Sequence, residues 1–492
     1  MSKRTFNRIL MKSSIAMSLV AVCALSACGS LISPEYKRPA LDVPASLATP
    51  SKVAGAAQVD WLVWWKGFDD PVLNALLDEA SKNSQDLALA TARIAEARGT
   101  LGANESNLFP TVDLNASTTR RRSSENSATF APGANPVSED RQLGLTATYE
   151  IDFWGKYARA DEAARARLLA QAASRGTVLT TLYANVAQSY FALRALDTQT
   201  ELAERTLITR QENLRLQKRR FETGVIGAID LRQAESEVAS VQATLQLARQ
   251  SRSNAESALA VLVGRKPTDI LRPVLARGSD LSALYAAQVV PADLPSDILN
   301  RRPDVISAEQ NLIAANADIG QARAAYFPKL SLTAGVGQQS KELSTLFDPA
   351  SLFWNAIGNL TQPVFRAGAI GAVVAAANSR QQQALAQYTQ TVQNAFRDVH
   401  DAMNNVDAGR DIATTTALRI TALRETLRLA ELRYKSGYSS YLEVLNAQRD
   451  LAQAESSLID ARRTQLVAVV GLYKALGGGW DAAGLQEQAG KL

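Results

Sequence analysis

The chain has 492 residues, 46% hydrophobic and 21% charged, with 53 Lys and Arg against 48 Asp and Glu for a formal charge of +5. One histidine, His400, and two cysteines, Cys23 and Cys28, offer little for metal centres, acid–base chemistry or thiol chemistry, which usually draw on several such groups. Four cations, Lys3, Arg4, Arg8 and Lys12, sit at the extreme N-terminus, and without them the charge falls to about +1, too little for nucleic-acid binding.

Those cations precede an apolar run over residues 15–25, the layout of a secretory signal. The run is shorter than the roughly 20 residues that a membrane helix needs. It ends in Leu25-Ser26-Ala27-Cys28-Gly29, which resembles a bacterial lipobox. Such signals are cut before the cysteine, so 1–27 is expected to be a lipoprotein signal peptide and Cys28 the lipid attachment site. Gly29, in place of Asp, implies export to the outer membrane. Cys23 leaves with the signal and Cys28 is modified, so neither a disulfide nor a thiol nucleophile is expected in the mature chain. Further on, the nearest approach to a membrane helix, 369–377, is short and flanked by Arg366 and Arg380. A chain that crosses the membrane must then do so as a barrel.

The remainder is written twice. Phe109-Pro110 recurs as Phe327-Pro328, a shift of about 218 residues. Phe221-Glu222-Thr223-Gly224 recurs as Tyr434-Lys435-Ser436-Gly437, and Val263-Gly264 as Leu476-Gly477, a shift of about 213. A first repeat over 28–264 therefore comprises a helix (84–106), a strand pair (111–151), a long helix (156–222) and a shorter helix (229–263). A linker over 265–297 leads to a second repeat over 298–480, with a helix, a strand pair (329–362), a long helix (368–435) and a helix (442–476). Residues 481–492 form a tail.

The strand signal is alternation. Leu143, Leu145, Ala147, Tyr149, Ile151 and Phe153 alternate with polar residues or glycine, and Val112, Leu114 and Ala116 give a weaker partner. Leu330, Leu332, Ala334 and Val336 do the same in the second repeat, with 352–360 as the return strand. Residues 117–142 read as a long polar hairpin loop. The long helices carry heptads. One column runs Leu385, Val392, Val399, Val406, Ala413, Ile420, Leu427, Tyr434; its companion runs Tyr388, Ala395, Ala402, Gly409, Thr416, Leu423, Ala430. In the first repeat Leu179, Val186, Leu193, Leu207, Leu214 and Phe221 hold the same column, broken by Thr200.

Each long helix approaches 70 residues, or roughly 100 Å at 1.5 Å per residue, and the two shorter helices of the first repeat sum to roughly 90 Å. The expected architecture is mainly α with a transmembrane β-barrel part, in an internally duplicated chain. Four strands do not close a membrane barrel, which takes about eight or more. Open edges are not tolerated in lipid, so several chains must share one barrel.

Four motifs resemble the outer-membrane-factor family, the TolC-like and OprM-like exit ducts of tripartite efflux pumps. They are Trp64-Trp65 with Phe68 and Asp70-Pro71; Leu294-Pro295 with Asn300-Arg301-Arg302-Pro303-Asp304-Val305; Ala325-Tyr326-Phe327-Pro328; and Leu472-Tyr473-Lys474-Ala475-Leu476-Gly477-Gly478-Gly479-Trp480. The resemblance spans about residues 34–482. It implies a homotrimer with a twelve-stranded barrel and a periplasmic α-barrel tunnel, with the linker in an equatorial region. It also implies a periplasmic adaptor (membrane fusion) protein and a proton-driven inner-membrane transporter as partners. The turns Thr223-Gly224 and Ser436-Gly437 would be adaptor-contact points. The periplasmic gate would involve Leu442 and Asn446, the latter where the compared relative has Asp. A neutral amide ring attracts cations less than a carboxylate ring, so closure is expected to rely on Leu442 packing.

Other features read as structure. Gly477-Gly478-Gly479 follows a helix and lacks the Lys-Ser of a phosphate loop, so it is a helix stop. Asp70-Pro71 is an N-cap with a first-turn proline, and Pro303 opens a helix whose first turn Arg301, Arg302 and Asp304 surround. Arg120-Arg121-Arg122 is a solvated loop run, its functional version being contact with outer-leaflet lipopolysaccharide. His400 is a solvated or packed helix residue, and Phe221 and Tyr434 are seam ends. No catalytic constellation, cofactor site or metal site is expected. The preferred function is a passive exit duct for drugs or other small molecules. Export of metal ions or secreted protein is the alternative within transport, and a structural coiled-coil lipoprotein the alternative from another class, disfavoured by the strand pairs.

Overall fold

The computed structural model describes residues 34–42, 60–128, 130–131, 133–271, 273–287, 300–482 and 484–485. The signal, Cys28 and part of the linker lie outside them. The main elements are α1 (Pro71–Asn83), α2 (Gln85–Ser106), β1 (Thr111–Arg122), β2 (Val137–Ile151), α3 (Lys156–Glu222), α4 (Ala228–Leu262), α5 (Pro303–Ala324), β3 (Lys329–Ser340), β4 (Leu352–Thr361), α6 (Ala369–Lys435) and α7 (Tyr441–Ala475). The chain divides into two compact units: Met1–Ala40, Ile94–Ala170 and Ala308–Tyr388 form one; Leu41–Arg93, Gln171–Ser307 and Thr389–Leu492 form the other. No helix among the described residues is long and apolar enough to cross a membrane.

The first unit holds a four-stranded antiparallel sheet in the order β1-β2-β3-β4. Its strands outrun the apolar alternation. β1 continues through Arg122 and β2 begins at Val137, so the expected loop over 117–142 shrinks to 123–136, and Arg120, Arg121 and Arg122 are strand residues, not loop residues. Polar side chains carry no core signal, but the backbone ladder continues beneath them. At the other end of the sheet, Trp154 stacks on Phe327 at 4.7 Å and its Nε1 donates to the Pro328 carbonyl at 2.8 Å. Alanines take the helix contacts here, with Ala163 and Ala166 of α3 against Ala314 and Ala317 of α5. Small side chains let helix backbones approach closely.

The second unit contains the main apolar core. Trp64 stacks on Tyr473 at 5.1 Å, Trp65 packs on Tyr183 at 4.6 Å and Phe68 on Phe191 at 5.0 Å. The α6 seam is buried at Val392, Val399, Val406, Ala413 and Ile420, as knobs of a heptad should be. Thr200, the polar break in the α3 column, is also buried and donates to the Leu196 carbonyl at 2.7 Å. Phe221 departs from its expected role as a seam end: it is exposed at the C-terminal end of α3, whereas its counterpart Tyr434 packs against Tyr441.

Asp70 is fully buried and caps α1, accepting from the Val72 and Leu73 amides at 2.8 and 3.1 Å. Its second oxygen accepts from the Tyr190 hydroxyl at 2.8 Å and the Ser279 amide at 3.0 Å. One carboxylate thus ties the linker to α3 and to the start of α1. Arg302 is buried rather than merely surrounding the start of α5. It donates to Asp304, to Asp398 at 3.3 Å and to the Ala475 carbonyl at 2.8 Å. Burial pushes its pKa down, but Asp304 and Asp398 outweigh that and hold it above the ordinary value. His400 is exposed and lies 3.0 Å from the Asn404 amide.

Candidate functional site

Two surfaces have the makings of function, one in each unit. The first is the sheet. Cross-strand partners share a face, and the register lines up Val112–Ala147–Ala334–Ala356, Leu114–Leu145–Val336–Trp354 and Ala116–Leu143–Gln338–Leu352. Tyr149–Leu332–Gly358 and Ile151–Leu330–Leu360 continue the same face. It is apolar and unprotected by the chain itself: Leu114 is 69% exposed, Trp354 77% and Leu360 67%. From Leu143 to Ile151 the band extends about 26 Å along β2 at roughly 3.3 Å per residue. A strand tilt of about 40° reduces this to roughly 20 Å, close to the apolar band of a membrane barrel.

The opposite face is polar: Asp113–Thr146–Gly335–Asn355, Ser117–Gln142–Gln339 and Glu150–Ser331–Asn359. Phe353 is the aromatic exception there, and its register row explains it. Its ring lies over Gly144 and Gly337, whose missing side chains would meet it at 3.4 and 3.0 Å. A ring covering bare backbone restores contact that glycine lacks. Among the described residues β1 and β4 each pair on one side only, leaving two open edges.

The second surface is the pair of helix turns. At the first, the Gly224 amide donates to the Phe221 carbonyl at 2.9 Å and the Val225 amide to Arg220 at 2.8 Å. At the second, Gly437 donates to Tyr434 at 3.1 Å and Tyr438 to Arg433 at 2.9 Å. Both are the same helix-closing motif, with Gly224 and Gly437 at φ 72° and 78°, where a side chain is strained. Thr223 and Ser436 precede those glycines. Leu442 and Asn446 follow on α7, one turn apart and both exposed, while Tyr441, Val444, Leu445 and Ala447 turn inward. The two gate candidates thus face away from the chain's own packing.

Behind the turns lies a charged cluster that the sequence reading missed. Glu237 of α4 is buried between Arg210 of α3, at 3.8 Å, and Arg449 of α7, which donates to it at 2.9 Å. Burial pushes the Arg210 pKa down, partly offset by Glu237. The one available signal was spacing: Ala203, Arg210 and Gln217, all buried, follow each other by sevens along α3.

A family profile described as outer membrane efflux protein matches residues 76–265 and 294–478. The chain belongs to this family. It is 33% identical over 461 residues to the cation efflux system protein CusC of Escherichia coli K12, covering 93% of this chain and 98% of that protein. It is 34% identical over 476 residues to the solvent efflux pump outer membrane protein SrpC of Pseudomonas putida, covering 95% and 99%. The crystal structure of the Campylobacter jejuni CmeC outer membrane channel superposes with a TM-score of 0.83 at 27% identity, covering 94% of this chain and 98% of that one. The open-state Neisseria gonorrhoeae MtrE channel gives 0.80 at 33% identity, with 91% and 98% covered.

The chain is therefore an outer-membrane efflux channel protein of the tripartite type, not an enzyme. Such channels work with an adaptor and an inner-membrane pump. The motifs that carried the resemblance turn out to be packing motifs: Trp64 meets Tyr473, Arg302 meets Ala475, and Phe327 meets Trp154.

Proposed function

We propose that three copies of this chain close a twelve-stranded barrel, β4 of each pairing with β1 of the next, and that the barrel is the outer-membrane section of a passive exit duct. The observation that carries this is the sheet register. It sorts apolar and polar residues onto opposite faces while leaving both edge strands unpaired. Open edges in lipid leave backbone groups unsatisfied, which a closed barrel avoids.

In this reading the two repeats contribute equivalent halves of each subunit, 28–264 and 298–480, and Cys28 holds the lipid. The turns at Thr223, Gly224, Ser436 and Gly437 receive the adaptor, and Leu442 with Asn446 forms the periplasmic gate. The polar face becomes the lumen wall. Its Thr, Ser, Asn and Gln residues are interspersed with both signs of charge, Asp113, Asp140 and Glu150 against Arg121 and Lys329, a mixed lining that suits a conduit for drugs and other small organic molecules chosen by a proton-driven pump. Cation export, the function in the name of CusC, is the second reading.

Native mass measurement of the detergent-extracted full chain, with conductance in planar bilayers, tests the proposal. Three chains and an ion-conducting pore are expected. A mass of one or two chains, or a silent bilayer, overturns it.

A further inference from the structure

The three arginines at the end of β1 alternate in direction. Arg120 and Arg122 share the face of Val112, Leu114 and Ala116, whereas Arg121 lies on the polar face. Moving along the apolar face from α3 towards the hairpins, the last apolar row is Ala116–Leu143–Leu352. The next row is Thr118–Arg141–Ser340, then Arg120–Glu139, then Arg122–Val137. Arginines therefore begin where the apolar band stops, at the hairpin end of the sheet.

Their acidic neighbours do not fully neutralise them. Glu139 serves both Arg120, at 3.4 Å, and Arg141, at 2.8 Å, and Glu125 pairs with Arg122 at 3.3 Å. Three guanidinium groups thus share two carboxylates. Arg120 and Arg122 remain 76% and 70% exposed, with most of their donors free to meet another group. Surface pairs of this kind hold weakly, at about 0–1 kcal/mol, so a better acceptor can displace them. Guanidinium matches a phosphate bidentately.

We propose that Arg120 and Arg122 form a binding site for the phosphate groups of the outer-leaflet glycolipid that surrounds the barrel, beside Arg141, which is already held by Glu139 and the Lys341 carbonyl. This rests on the barrel reading above, which sets the apolar face against lipid and the hairpin end outside the cell. The placement is what separates it from a solvated charge run. A patch serving solvent alone has no reason to fall on the lipid-facing side, immediately beyond the apolar band, with its middle arginine turned the other way.

The test uses detergent-extracted full-length protein and purified lipopolysaccharide as probe, comparing Arg120→Ser/Arg122→Ser with Arg121→Ser. The wild type and Arg121→Ser are expected to retain lipopolysaccharide, the double variant to bind it at least tenfold more weakly, and Glu139→Gln to bind it more tightly. Equal binding by the double variant or an equal loss in Arg121→Ser overturns the inference. Bilayer insertion is measured in parallel. A wild type that fails to insert refutes the barrel, whereas a double variant that inserts and still holds lipopolysaccharide refutes only this site.

Discussion

The Tyr434 hydroxyl accepts a hydrogen bond from Arg220 Nη1 at 2.8 Å, and the same guanidinium lies 5.2 Å from the centre of the Tyr434 ring. Each residue also closes its own turn: the Arg220 carbonyl accepts from Val225, and the Tyr434 carbonyl from Gly437. The bond therefore couples the two helix turns to each other, one from each repeat.

Tyr434→Phe removes only the hydroxyl. A hydrogen bond to a charged group contributes about 1.5 kcal/mol or more, so the turns at 223–227 and 436–440 should open more often. Limited proteolysis is expected to cut them several-fold faster than in wild type. Unchanged cleavage would mean that the ring contact alone holds them.

Leu442 and Asn446 give a gate prediction. Leu442→Ala is expected to raise single-channel conductance, and Asn446→Ala to change it little. Asn446→Asp should instead raise cation selectivity, since a carboxylate ring attracts cations. Opening by Asn446→Ala alone would contradict closure by leucine packing.

Alkaline pH should loosen the core around Tyr473. Burial pushes its phenol from 10.0 up to about 12. The neutral form is thus favoured by the fold, so its stabilisation is complete below pH 10 and is lost as pH rises through about 12. Tyr473→Phe should lose less thermal stability between those limits than wild type. Identical alkaline profiles would place the sensitivity at other phenols.

Asp70→Ala should be among the more damaging single changes in the second unit. It strands the Val72, Leu73 and Ser279 amides and the Tyr190 hydroxyl in a buried site. Unsatisfied buried groups cost about 1–3 kcal/mol each, so assembled protein is expected to fall sharply. Asp86→Ala, on the exposed first turn of α2, should leave the yield unchanged.

Periodicity made much of this legible. Alternation marked the centres of three strands, with the fourth placed as their return, and the seven-residue spacing from Val392 to Ile420 marked a seam that is buried. The strand ends were not legible, because beyond Ala116 and before Leu143 the ladder runs on under polar side chains. Arg120 and Arg122 looked like loop charges for that reason. The Arg210–Glu237–Arg449 cluster was hidden differently. Each member alone resembles a solvated helix residue, and only the packing of three helices brings them together. Phe353 on the polar face is explained by glycines on two neighbouring strands, a relation that only the register supplies.

The unpaired edges of β1 and β4 also bear on supply. With three copies per barrel, as proposed, the sheet of each is completed only by its neighbours, and the assembled population grows as the cube of the free chain. Where free chains are scarce, halving their number would lower the count of finished ducts about eightfold by mass action. Synthesis of this protein would then act as a threshold: below it the membrane holds almost no exits, and a modest rise in expression furnishes many.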